Sequence, residues 1–87
     1  MIPSLTFNGT LATCAVTVVA DNSRDEIEVE AELFKDGDSY RHWTGSGTGS
    51  LRFSRVATVT KGHTYTLEVD VTIDGETFSL RPISKDY

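Results

Sequence analysis

Apolar and polar residues alternate along most of this chain with a period of two, the signature of strands that turn one face to a core and the other to water. The plainest case is "DEIEVEAELF", residues 25–34, where Ile27, Val29, Ala31 and Leu33 interleave with Glu26, Glu28, Glu30 and Glu32. Before it, "LATCAVTVVA" puts Ala12, Cys14, Val16, Val18 and Ala20 on one face. After it, "KGHTYTLEVDVTI" sends Tyr65, Leu67, Val69, Val71 and Ile73 inward and Thr66, Glu68, Asp70 and Thr72 outward. Asp36-Gly37 and Asp74-Gly75 are strong signals for two-residue hairpin turns. The first predicts Leu33 opposite Tyr40, Glu32 opposite Arg41 and Glu30 opposite Trp43. The second predicts Val71 opposite Phe78, Val69 opposite Leu80 and Glu68 opposite Arg81.

The remaining segments are shorter or less regular. "SLTFNGTL" predicts a short edge strand turning at Asn8-Gly9, and "TGSGTGS" reads as a loop. In "LRFSRVATVT" the apolar rhythm set by Leu51 and Phe53 slips near Arg55 and Val56, which predicts a bulge or bend. Pro82 and "ISKDY" close the chain as an edge or a tail over residues 82–87. About seven strands with frequent turns and no helical periodicity predict an all-β fold, a two-sheet antiparallel β-sandwich. Residues 1–87 form one domain with no repeat and no linker.

Charge narrows the partners. Against 8 basic residues stand 13 acidic ones, a net charge of −5 that disfavours nucleic acid and anionic membrane and favours a cationic partner or a metal ion. No run approaches the roughly 18 apolar residues of a membrane-spanning helix. The N-terminus shows neither a basic nor an apolar leader region, though a leader removed before Met1 would leave the same start. Cys14 is the single cysteine, so no internal disulfide forms. A monomer is the default expectation.

The segment "VTKGHTYTLEVDV", residues 59–71, resembles strand F of immunoglobulin-like and fibronectin type III-like sandwiches. The resemblance implies that Tyr65 is a tyrosine-corner residue whose hydroxyl bonds back to the preceding turn. Leu67 stands where an immunoglobulin domain has its second Cys, which leaves Cys14 as a buried free thiol and favours the disulfide-free branch. The order of "GTLATCAVTV", the acidic strand, Trp43 with its Gly-Ser run, and the Tyr65 segment also resembles small secreted β-sandwich modules of Gram-positive bacteria. That likeness implies a secreted or cell-surface setting and carries no catalytic residue.

In such a sandwich the strands holding Glu28 and Glu30 and holding Glu68 and Asp70 are neighbours, so four carboxylates share one outer face, with Arg41 and Arg81 at its border. The plain reading is a solvated face that keeps the domain soluble; the functional reading is a surface that steers a cationic protein or peptide. The hairpin register puts Trp43 outward as a stacking platform for sugar or peptide, while a one-residue bulge would turn it into the core. Asp21, Ser23 and Asp25 have the one-three-five spacing of a calcium loop, but Glu26 replaces the required Gly and strand follows, so the EF-hand is excluded. Asp21 with Asp25, or Asp36 with Asp38, remain weak calcium candidates beside ordinary turn chemistry. His42, His63 and Cys14 have no nucleophilic constellation around them, and the Gly-Ser run lacks the ending of a phosphate loop. The chain therefore reads as a non-enzymatic binding, adhesion or spacer module without a cofactor. The alternative is a carbohydrate-binding module using Trp43 and Tyr40.

Overall fold

The computed structural model describes residues 2–87. It is an all-β sandwich of eight strands: β1 (Ser4–Asn8), β2 (Leu11–Val19), β3 (Glu26–Lys35), β4 (Asp38–Thr48), β5 (Ser50–Thr58), β6 (Thr64–Ile73), β7 (Glu76–Ser79) and β8 (Ile83–Asp86). One sheet has the order β1-β2-β5. The other runs β4-β3-β6, with β7 and β8 side by side in sequence along the far edge of β6. The sheets meet at a corner, where Thr48↔Ser50 is the one ladder pair between β4 and β5. Gly49 ties that corner to both sheets, donating to Asp25 O at 2.9 Å and accepting from Ala20 N at 2.8 Å.

The inward sets are those the alternation predicts. Ala12, Cys14, Val16 and Val18 from β2, Ile27, Val29, Ala31 and Leu33 from β3, and Tyr65, Leu67, Val69 and Val71 from β6 are buried together. Leu5, Phe53, Ala57 and Val59 complete this core; among the described residues it contains no buried polar or charged group other than the Tyr65 hydroxyl. Both Asp-Gly turns have positive φ at both residues, 52° and 89° at Asp36-Gly37 and 49° and 81° at Asp74-Gly75, the twist that matches a tight hairpin.

Four local expectations are corrected. The β3–β4 register slips by one residue between Leu33 and Phe34: Phe34 pairs with Ser39, but Leu33 pairs with Arg41, Glu32 with His42 and Ala31 with Trp43. The extra residue is Tyr40, whose ring turns inward to lie 6.4 Å from Tyr65 while its hydroxyl donates to Thr58 O at 2.8 Å on the other sheet. That long-range bond is the physical reason for the bulge, and it cancels the predicted Glu32–Arg41 pair. Second, the Gly-Ser run is strand, not loop. A Cβ at Gly45 would stand 2.7 Å from Cδ2 of Phe53, so the bare backbone of β4 is the bed on which that ring packs.

Third, β2 and β5 pair in one unbroken register from Leu11↔Thr58 to Val19↔Ser50, with no bulge at Arg55. The rhythm survives because Arg55 takes an inward position at the rim, its guanidinium 4.5 Å from the Phe53 ring centroid, while Val56 faces water. Fourth, the ladder from β6 holds at Val71↔Phe78 and stops at Ser79, so Glu68 and Arg81 are not paired. After Pro82 the chain returns to the same edge as β8, with Leu67↔Ile83 and Tyr65↔Lys85, so residues 82–87 dock along the sheet. Lys85 Nζ then donates to Leu5 O at 2.7 Å, and Tyr87 stacks on Phe7 at 4.4 Å and donates to Gly9 O, closing that side of the sandwich.

A candidate acidic face on the larger sheet

Strand β3 lies at the centre of the larger sheet, with β4 on one side and β6 on the other, and its alternation fixes which side chains face out. Glu26, Glu28 and Glu30 are exposed and Glu32 is half-buried. Across the β3–β6 ladder Glu30 pairs with Asp70 and Glu32 with Glu68, so acid stands directly opposite acid twice. Across β3–β4 the partners are small hydroxyls and one histidine: Glu26↔Thr48, Glu28↔Ser46, Glu30↔Thr44 and Glu32↔His42. The face thus has an acidic spine with hydroxyls on both flanks. Glu28, Glu30, Asp70, Thr44, Ser46 and Thr72 line an open trough of about 610 Å³ along it.

The cations expected at its border are elsewhere. Because of the bulge, Arg41 lies over the Tyr40 ring at 4.2 Å and donates to Tyr40 O, toward the rim of the inner face. Arg81 follows the end of β7 and has no ladder partner. Among the described residues one basic side chain lies within ion-pairing distance of a carboxylate, His63 at 2.6 Å from Asp36, and it lies at the hairpin end away from this face. His42 is the residue that sequence reasoning missed on this surface. It reaches the outer face only through the bulge, for which the sequence holds no local signal.

Trp43 is turned to the inner side, half-buried, opposite the small Ala31 and packed against the core. Tyr40 also packs against the core, its hydroxyl donating to Thr58 O. Neither ring stands free on the acidic face. Cys14 is buried among the apolar residues, and desolvation pushes its thiol up to about 11, so it is neither a thiolate nor a nucleophile near neutral pH. The Tyr65 hydroxyl accepts from Thr60 N at 3.0 Å and donates to Thr60 O, in the turn ahead of its own strand, with Leu67 fully buried two residues on.

The two pairs of calcium candidates lie at opposite ends of the sandwich. Asp36 receives Thr64 N at 2.9 Å and the His63 ring, and these two contacts hold its carboxyl below the usual carboxylate range. Asp38 opens β4 and is exposed. Asp21 and Asp25 border an open hollow at the opposite end of the sandwich together with Asp74 and Glu76. Among the described residues no three His, Cys, Asp or Glu side chains gather as a metal site would require. Among the described residues no helix is long and apolar enough to cross a membrane.

No protein-family model matches the chain, and no curated protein matches it. Class therefore rests on the fold alone: a small antiparallel β-sandwich with one strongly acidic outer face.

Proposed function

We propose that this domain is a non-enzymatic binding module of the immunoglobulin-like, fibronectin type III-like kind, working in an extracellular or cell-surface setting, and that its acidic sheet face receives a cationic protein segment. A three-stranded sheet against a larger one, and a core tyrosine bonded back to the turn before its strand, support the kinship. The observation that carries the binding reading is the uncompensated spine. Glu30 faces Asp70 and Glu32 faces Glu68 with no Lys or Arg paired to them among the described residues. Like charges in direct cross-strand register are destabilising, so a surface that keeps them has a use for the field they make. The sugar-stacking alternative loses its platform, because Trp43 and Tyr40 pack inward.

The test is titration with a lysine-rich peptide, followed by amide chemical shifts at low and at physiological salt. Shifts should map to β3, β4 and β6, and Glu28→Gln with Glu30→Gln should weaken binding about tenfold while leaving the fold unchanged. Binding that ignores the double variant, or shifts that map to the smaller sheet, would overturn the assignment.

A further inference from the structure

A sandwich has four sheet edges, and unpaired backbone on any of them is a template for another strand unless something blocks it. Three are blocked here. β1 is five residues long, and its Leu5 carbonyl is occupied by Lys85 Nζ. The β7–β8 edge is broken at Pro82 and carries Lys85. β5 has Arg52 on its outer face and Arg55 at the inner rim, and its Thr58 carbonyl is taken by Tyr40. The fourth edge, β4, runs eleven residues, and from His42 to Thr48 it contains no Lys, no Arg and no Pro.

The direction of its free groups follows from the ladder. Gly49 N donates to Asp25 O, which sets the phase of the ladder: 25 and 49 stand at a hydrogen-bonded position, and from there every second pair up the strands, starting with Ile27 and Gly47, faces its main-chain groups across the ladder. Gly47, Gly45 and Trp43 therefore point their N–H and C=O groups at β3. His42, Thr44 and Ser46 point theirs away from the sheet, into water.

We propose that an extended peptide with Lys or Arg at alternate positions adds as a further strand along the β4 edge, its main chain pairing with His42, Thr44 and Ser46 and its cations reaching over β4 to Glu28 and Glu30. Strands lie about 4.8 Å apart, so the added strand sits about 9.6 Å from β3. The side chains it must cross are those of Thr44 and Ser46, small enough to leave the trough open to an extended Lys or Arg. Charge complementarity selects this occupant over a second copy of the chain, which would bring another net −5 with it. The mode is main-chain pairing for affinity with side-chain pockets for specificity. It rests on the acidic face being a cation-recognising surface and adds which edge is used and in what conformation.

The experiment uses an eight-residue peptide of alternating Thr and Lys, and the same peptide N-methylated at alternate amides so that one edge cannot pair while its charge is kept. Binding is read by calorimetry and by hydrogen exchange of the Thr44 and Ser46 amides. The unmodified peptide should protect both amides, and N-methylation should weaken binding at least tenfold. The Thr44→Pro variant should do the same, since the Thr44 N–H serves no bond within the sheet; should that variant fail to fold, the methylated peptide still decides the matter. If the methylated peptide binds as tightly as its parent and both depend on Glu28 and Glu30, edge addition is refuted while the acidic-face reading stands. Loss of all binding, or binding indifferent to those two glutamates, refutes both. Protection of Thr44 and Ser46 without peptide, together with a dimer in sedimentation, would assign the edge to a second copy and overturn the peptide.

Discussion

Gly45→Ala is the sharpest probe of how the two sheets meet. The added methyl would lie 2.7 Å from Cδ2 and 2.9 Å from Cε2 of Phe53, well inside any real carbon–carbon contact. Phe53 is 3% exposed and is itself held down by Arg55, so the ring cannot swing clear without shifting the rim of β5. Overpacking of this kind costs about 1–3 kcal/mol. In an otherwise unhindered strand the same change gains roughly 0.5–1 kcal/mol, because alanine loses less freedom on folding than glycine does. The control is Phe53→Val, which removes the ring atoms in question and by itself costs about 2–3 kcal/mol, less than full truncation. Urea unfolding of the parent, the two single variants and the double variant gives a double-mutant cycle. Gly45→Ala should lower stability in the parent and be neutral or stabilising in the Phe53→Val background, a coupling of at least about 1 kcal/mol and some 4–8 °C in melting temperature per kcal/mol. Equal effects in the two backgrounds would refute the packing, and no effect in either would mean that residues 44–50 are a loop.

Two further tests address the buried thiol and the Asp36–His63 contact. With its thiol pushed up to about 11 and buried in the core, Cys14 should react with a disulfide reagent at pH 8 only as fast as the domain unfolds; rapid labelling of the native protein would contradict its burial. Asp36, lowered by the Thr64 amide and by His63, contributes stability that is complete above its ordinary value of 3.8 and is lost as pH falls through its lower folded value. The stability difference between the parent and Asp36→Asn should therefore shrink as pH falls below about 4, and a difference that persists undiminished at pH 2 in urea titrations would count against the contact.

The core was legible because burial on one face imposes alternation, and Ile27 to Leu33 and Tyr65 to Val71 alternate without a break. The Asp-Gly turns were equally legible, since their positive φ angles are local chemistry. What stayed hidden depends on contacts distant in sequence. The bulge at Tyr40 exists because its hydroxyl finds Thr58, 18 residues on. Moving one residue out of register then turns Trp43 inward, Arg41 to the rim and His42 out to the acids, so three site assignments hang on one tertiary bond. The Gly-Ser run misleads for a related reason: its composition says loop, but its shape is complementary to Phe53. The joining of Glu28 and Glu30 to Glu68 and Asp70 required knowing that β3 and β6 are neighbours, and the immunoglobulin-type resemblance supplied that adjacency.

Where the charges sit separates two uses of an acidic surface. A protein that needs carboxylates only for solubility gains most by placing them on edge strands, where they also repel a passing strand. Here the reverse holds. The glutamates occupy β3 and their acidic partners occupy β6, both interior strands of the sheet, while the edge strand β4 offers Thr44, Ser46 and two glycines. Each exposed like-charge pair costs about a few tenths of a kcal/mol, small beside a total stability of roughly 4–13 kcal/mol for a chain of this length. That cost brings no protection to the edge that lacks it. It does place a negative field alongside an unblocked strand, and the combination favours an incoming strand of opposite charge over one of the same charge. Neutralising Glu28 and Glu30 should thus act in two directions at once, raising the melting temperature slightly and loosening the cationic peptide, whereas a purely solvating face would show the first effect without the second.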